Sequence, residues 1–162
     1  MMELNARVKD LNKLQKDTPS PWDSVGLDVF TFNFATEYMK AKHPKALYIS
    51  FGETDDFAHD GYYDQYMLAA HRADDFIRRI WEFVQNDPAY KDKTTLLVTT
   101  DHGRGDDSLE SWKSHGAEKD ASGNISYYSG DDQIWMAVIG PDTPADGEMK
   151  KTDDVAILIK TA

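Results

Sequence analysis

Residues 95–103 have the sequence TLLVTTDHG, in which an apolar, β-branched run leads directly into an aspartate, a histidine and a glycine. The same arrangement occurs earlier in the chain, where residues 46–51, ALYISF, lead into GETDDFAH at 52–59. Short, nearly continuous apolar runs are typical of strands that are buried on both faces of a parallel sheet. Ligands of such sheets bind outside the carboxyl ends of the strands, so both polar segments are predicted to face one crevice.

The other segments predict an alternation of helices and strands. Apolar residues at helical spacing predict helices over residues 3–16 and 63–86. Residues 27–42 are ambiguous, because the run Val29-Phe30-Thr31-Phe32 is strand-like. A helix is favoured there, since Leu27, Phe30, Phe34 and Tyr38 share one helical face. Residues 133–139, QIWMAVI, predict a third strand, and residues 155–159 fit either a short strand or a helical turn. This order predicts an α/β fold of three layers, α/β/α, with a largely parallel sheet and the helix over 63–86 crossing between strands.

The composition limits the classes of function. The 162 residues include 18 Lys plus Arg against 29 Asp plus Glu, a formal net charge of −11. Such a charge repels phosphate backbones and anionic lipids, so neither a nucleic-acid duplex nor a membrane is an expected partner. The chain has no cysteine, which excludes disulfides, thiolate metal ligands and a cysteine nucleophile. The first residues show no targeting pattern, so the sequence leaves the compartment open.

Carboxylates and imidazoles concentrate at the ends of two predicted strands and in a Gly- and Ser-rich loop over residues 103–131. These candidate ligands are Asp55, His59, Asp101, His102 and His115. A ligand set of carboxylates and imidazoles without thiolates favours zinc or manganese over calcium or magnesium. Each Asp–His pair alone is a weak signal, because aspartates cap helices and histidines are common on surfaces. Their joint occurrence at strand ends is much more specific.

The order of these motifs resembles the C-terminal half of the alkaline phosphatase superfamily. The resemblance extends over roughly residues 25–141. It is carried by Asp55-x-x-x-His59, Thr100-Asp101-His102-Gly103, His115-Gly116 and the strand end Ile139-Gly140-Pro141. Among the branches, the chain is most similar to type I phosphodiesterases and phosphoglyceromutase-like proteins. Nucleotide pyrophosphatases and sulfatases belong to the same superfamily.

The resemblance implies a centre with two divalent metals, zinc or manganese, that acts on a small phosphate ester or, alternatively, a sulfate ester. By this resemblance, Asp55, His59 and His115 bind the first metal, which activates the attacking water or hydroxyl. Asp101 and His102 bind the second metal, which stabilises the leaving oxygen. Two such cations clamp both oxygens of an in-line displacement at phosphorus.

The resemblance is incomplete in one respect. Complete members have an earlier strand that ends in another metal-binding aspartate and is followed by a Ser or Thr nucleophile. No segment before Ala46 shows that pattern, so residues 1–162 are interpreted as one partial domain without a catalytic nucleophile. We expect such a half to bind metal without turnover and to expose a sheet edge that favours self-association. Many relatives are exported, so an exported or periplasmic parent is consistent with the resemblance.

Two other interpretations stay open from the sequence. In the first alternative, the chain is a non-catalytic metal-binding or interaction domain that kept the ligands. In the second, its histidines are structural and bind no metal. Arg104 is a candidate contact for a substrate phosphate. Glu53 and Asp56 are expected to be solvated loop carboxylates, unless one of them accepts a hydrogen bond from a ligating imidazole.

Overall fold

A computed structural model describes residues 5–23, 25–141 and 143. The chain divides between Tyr90 and Lys91 into two compact units. The first unit contains four α-helices, and the second contains all the strands found in the described part of the chain.

The helices of the first unit are α1 (Ala6–Asp17), α2 (Asp28–Lys42), α3 (Glu53–His59) and α4 (Tyr63–Asn86). The helices predicted over residues 3–16, 27–42 and 63–86 are thus confirmed over their described residues. α2 ends at Lys42, two residues before Pro44, and α4 ends at Asn86, two residues before Pro88. Proline has no backbone N–H and disfavours a helical conformation in the preceding residue, so both ends follow from the local sequence.

The core of this unit forms between α2 and α4. Its buried members are Phe32, Met39, Phe76, Ile80, Val84 and Tyr90. The rings of Phe32 and Phe76 stack with their centroids 4.5 Å apart. The hydroxyl of Tyr90 donates a hydrogen bond of 3.2 Å to the carbonyl oxygen of Met39. This bond ties the segment after α4 to the last turns of α2.

The prediction of a strand over residues 46–51 is wrong, because the structure describes these residues and they form no strand. Ile49 and Phe51 pack against the helical core, whereas the Tyr48 residue is 84% exposed. The run therefore covers one side of the helices instead of joining a sheet. A short apolar run does not by itself distinguish a strand from an irregular segment that packs on helices, because both bury some of its apolar side chains.

The second unit contains two small antiparallel sheets. Its strands are β1 (Leu96–Thr99), β2 (Ala117–Lys119), β3 (Ile125–Tyr127) and β4 (Met136–Ile139). β1 pairs with β4 so that Leu96 lies opposite Ile139, and β2 pairs with β3. The predicted loop over residues 103–131 includes the β2–β3 hairpin and one turn of 3₁₀ helix at Ser111–Lys113.

The predicted three-layer α/β/α fold with a largely parallel sheet is therefore wrong. The runs at 95–100 and 133–139 do contain strands, β1 and β4, but these strands pair with each other in antiparallel orientation. A parallel pair needs a crossover connection between two strands of one sheet. The helix over 63–86 provides no such crossover, because no strand precedes it among the described residues. Residues 155–159 lie outside the described residues.

Two buried carboxylates join the helices of the first unit. The carboxylate of Asp28 accepts hydrogen bonds from the backbone N–H groups of Gly52 (2.8 Å) and Glu53 (3.2 Å) at the start of α3. In return, the carboxylate of Glu53 accepts one from the backbone N–H of Asp28 (2.9 Å) at the start of α2. Arg72 of α4 pairs with the second oxygen of Glu53 at 2.6 Å. The N–H groups at a helix start lack partners within the helix, so each carboxylate stabilises the other's helix.

Burial raises the pKa of Asp28 to about 6, from an ordinary value of 3.8, although the hydrogen bond from Gly52 opposes this rise. The folded state therefore holds this proton more tightly than the unfolded chain does. The contribution of Asp28 to the free energy of unfolding is fully present when the pH is below 3.8, the ordinary pKa that Asp28 has in the unfolded chain. It is lost as the pH rises through about 6, the pKa in the folded state.

We expect the stability of the wild type relative to Asp28→Asn to fall by about 1 kcal/mol between about pH 5 and pH 7.5. Urea unfolding followed by circular dichroism at the helical band measures this difference, because the helical signal comes chiefly from the first unit. Asp74→Asn, at an exposed position on α4, controls for the loss of one negative charge. A difference between wild type and Asp28→Asn that does not change with pH would contradict the buried titration.

Candidate metal centre

The helix α3 presents Asp55 and His59 on one face, because residues four apart are neighbours on a helix surface. The Oδ1 atom of Asp55 lies 3.4 Å from Nε2 of His59, with the two side chains 37% and 42% exposed. Such a pair is an ion pair when the imidazole is protonated and two adjacent ligand atoms when it is neutral. The first unit thus brings these two predicted ligands together at a solvent-accessible position.

Contacts at both ends hold α3 in place. A helix of seven residues is not stable alone, because helix nucleation is costly. The carboxylate of Asp28 bonds the backbone at its start, as described above. Beyond its end, the indole N–H of Trp22 donates to Asp60 at 2.9 Å, and the Trp22 ring meets Phe57 edge-on at 4.8 Å between centroids. The position of the Asp–His pair therefore depends on residues far from it in sequence.

The expectation that Glu53 is a solvated carboxylate is wrong. Its residue is only 4% exposed, and its oxygens accept hydrogen bonds from the Asp28 backbone and the Arg72 guanidinium. Sequence reasoning missed the roles of Asp28 and Arg72. The position of Asp28 at the start of a helix could have been inferred from the sequence, since acidic residues are enriched in the first turn of a helix. No local pattern indicated that its carboxylate would bond a second helix.

The second unit contains the other predicted ligands. The imidazole rings of His102 and His115 stack with centroids 3.6 Å apart and an interplanar angle of 17°. The Oδ1 atom of Asp101 lies 3.7 Å from Nε2 of His102, and the Asp101 side chain is 86% exposed. The second unit thus brings all three of these side chains into one neighbourhood beyond the end of β1.

The hydrogen bond of His102 fixes the tautomer of its neutral ring. Its Nδ1 atom lies 2.7 Å from the carbonyl oxygen of Gly103, a contact that requires the proton on Nδ1 in the neutral ring. Nε2 then carries the lone pair that a cation needs. Histidines that bind metals commonly donate their other N–H to a backbone carbonyl in this way. The tautomer of His102 therefore fits a ligand role.

Gly103 is required by the close approach of two backbone segments. Its N–H donates to the carbonyl oxygen of Asp131 at 2.7 Å. A Cβ atom at this position would overlap the carbonyl oxygen of Gly130 and lie 2.8 Å from that of Gln133. The glycine of the Asp-His-Gly motif thus allows the segment after β1 to pack against residues 130–133.

Arg104 makes an internal contact. Its Nη1 atom donates a hydrogen bond of 3.0 Å to the carbonyl oxygen of Trp112, which links the segment after His102 to the segment before His115. The contact of Arg104 with a substrate phosphate stays a prediction.

Comparisons of the chain with protein-family models, with curated proteins and with solved structures give no significant match. The likeness to the alkaline phosphatase superfamily therefore rests on the motifs alone. None of the helices in the described residues is sufficiently long and apolar to span a membrane.

Replacing Gly103 by Ala should destabilise the second unit by about 1–3 kcal/mol, because the added methyl group overlaps a carbonyl oxygen that cannot easily move. Urea unfolding followed by tryptophan fluorescence provides the measurement. Gly26→Ala is the matched control, since a Cβ there meets its nearest atom at 3.9 Å. Equal stability of the two variants would show that the backbone approach at Gly103 is not tight.

Proposed function

We propose that this chain carries the metal ligands of a metal-dependent phosphoryl-transfer hydrolase of the alkaline phosphatase superfamily, of the phosphodiesterase, phosphatase or phosphoglyceromutase-like type. One observation supports this proposal most strongly. Each unit holds a carboxylate and an imidazole of the quoted motifs side by side, at 3.4 Å for Asp55 and His59 and 3.7 Å for Asp101 and His102. These are the ligand types that zinc and manganese accept.

The proposal assigns the ligands as the resemblance implies. Asp55, His59 and His115 hold the first metal, and Asp101 and His102 contribute to the second. Together, two divalent cations would offset the charge on the phosphoryl oxygens and align the attacking and leaving oxygens. The side chains themselves orient the cations, and the hydrogen bond from His102 to the Gly103 carbonyl keeps that imidazole in its ligating tautomer.

The charge of the chain favours a site that uses cations. A protein of net charge −11 repels a phosphate or sulfate ester, which is itself an anion. Bound divalent cations reverse that repulsion locally. The exposure of Asp55, His59 and Asp101 lets ions from solvent reach these ligands. A small anionic ester is therefore a more suitable partner than a nucleic-acid duplex, which presents many phosphates to the acidic surface.

The alternative function is metal binding without catalysis. No residue of the motifs that carry the resemblance is assigned as a nucleophile, so the proposal gives this chain by itself metal binding and no turnover. A sulfate ester is the alternative substrate, because sulfatases share the superfamily's motif order. Metal binding and hydrolysis are separate measurements, so the two functions are experimentally distinct.

The first test is metal binding by isothermal titration with zinc and manganese. The wild type should bind, and binding should weaken as the pH falls, because protons compete for the imidazole nitrogens. His59→Ala combined with His115→Ala should lower the affinity at least about 100-fold, because two ligands of one cation are lost. His71→Ala, which removes an exposed histidine of α4, should bind as the wild type does. Unchanged binding in the double variant would refute the ligand assignment.

The second test is hydrolysis of aryl phosphate monoesters and diesters, and of an aryl sulfate, with zinc or manganese present. We expect metal binding without multiple turnover, since removal of a nucleophile lowers rates by several powers of ten. His102→Ala serves as the control for any residual rate. Multiple turnover that disappears in His102→Ala would show that the chain is a complete catalyst, contrary to the proposal.

A further inference from the structure

Asp131 contacts the residue that follows each of two candidate histidine ligands. Its carbonyl oxygen accepts a hydrogen bond of 2.7 Å from the backbone N–H of Gly103, which follows His102. Its side-chain Oδ2 accepts one of 2.8 Å from the backbone N–H of Gly116, which follows His115. One residue is therefore bonded directly beside both histidines.

The backbone near His102 has several other restraints. The N–H of Gly105 donates to the carbonyl oxygen of Ser114 at 3.0 Å, and the N–H of Asp106 donates to that of Ser129 at 3.0 Å. Gly103 itself is closely packed, as described above. The segment that carries His102 is thus held at several points, of which the bond to Asp131 is one.

The surroundings of Gly116 are more open. A Cβ atom there would meet no other atom within 4 Å, and the residue has a positive φ of 77°. The carbonyl oxygen of Gly116 accepts a hydrogen bond of 3.1 Å from the N–H of Tyr128, and its N–H donates to the Asp131 carboxylate. The backbone beside His115 is thus held by the bonds from Gly105 to Ser114 and from Tyr128 to Gly116, and the carboxylate of Asp131 supplies the charged bond next to them.

We propose that Asp131 is a positioning residue for His115 in the candidate metal centre, an inference that rests on the proposed function. A bond from an N–H group to a carboxylate is charge-assisted and about twice as strong as a neutral one. It restrains the backbone next to His115 and so the direction from which the imidazole approaches a cation. The 3.6 Å stack of His102 and His115 shows how closely the two rings are placed.

The two bonds of Asp131 respond differently to substitution. Asp131→Ala removes the carboxylate and its bond to Gly116, whereas the carbonyl oxygen that accepts from Gly103 remains in any variant. The loss should therefore act on His115 and leave His102 nearly unchanged. The resemblance assigns these histidines to different metals, so the effect on metal binding should be selective.

The test is a zinc titration followed by proton NMR of the imidazole Cε1–H signals, of which the chain has five, one per histidine. His102→Ala and His115→Ala assign the two signals. In Asp131→Ala, the zinc concentration at the midpoint for His115 should rise about 10- to 100-fold, with that for His102 within about twofold of wild type. Asp131→Asn, which keeps an oxygen acceptor without the charge, should show an intermediate rise. Asp132→Ala removes the exposed neighbouring carboxylate and should match the wild type.

The outcomes separate this inference from the proposed function. Equal His115 midpoints in Asp131→Ala and Asp132→Ala would overturn the positioning role while the wild type still binds metal. Equal losses at His102 and His115 would indicate a general effect on the fold and would also overturn it. No response of any histidine in the wild type would refute the proposed function and this role together. If circular dichroism shows that Asp131→Ala does not fold, a selective rise at His115 in Asp131→Asn supports the role, and no rise overturns it.

Discussion

The reciprocal bonding of Asp28 and Glu53 is the constraint on which the helical unit depends. A buried carboxylate is costly unless hydrogen-bond donors or a cation compensate it, and each of these two finds donors at the start of the other's helix. Burial raises the pKa of Asp28 to about 6, although the positive charge that Arg72 supplies for the two carboxylates opposes this rise. Since α3 is too short to be stable alone, the place of Asp55 and His59 follows from this network.

The second unit is organised by its backbone more than by an apolar core. Several of its large apolar residues are substantially exposed, among them Leu97 at 46% and Tyr127 at 76%. Its order around the histidines comes instead from hydrogen bonds between backbone segments and from glycines that let these segments approach. The two sets of candidate ligands are thus held by different means, helix spacing in one unit and backbone packing in the other.

These two arrangements have a common chemical consequence. Each places a carboxylate beside an imidazole at an accessible position, and each supports the ligands with contacts from residues that are not ligands themselves. Asp28 acts at the start of α3, and Asp131 acts beside His115. Carboxylates and imidazoles are side-chain types that bind zinc and manganese.

The sequence by itself predicted the helices α1 and α4, because helical periodicity is a property of neighbouring residues, and it favoured a helix over a strand for α2. It did not predict α3, so the adjacency of Asp55 and His59 along that helix depends on the tertiary contacts that stabilise it. It also located β1 and β4, but not their pairing. Only the tertiary structure decided that these strands are antiparallel and that residues 46–51 cover helices instead of forming a strand. It alone selected Arg72 and Asp131 as partners. Such choices depend on contacts between residues far apart in the chain, and short apolar runs or single charged residues are compatible with several of them.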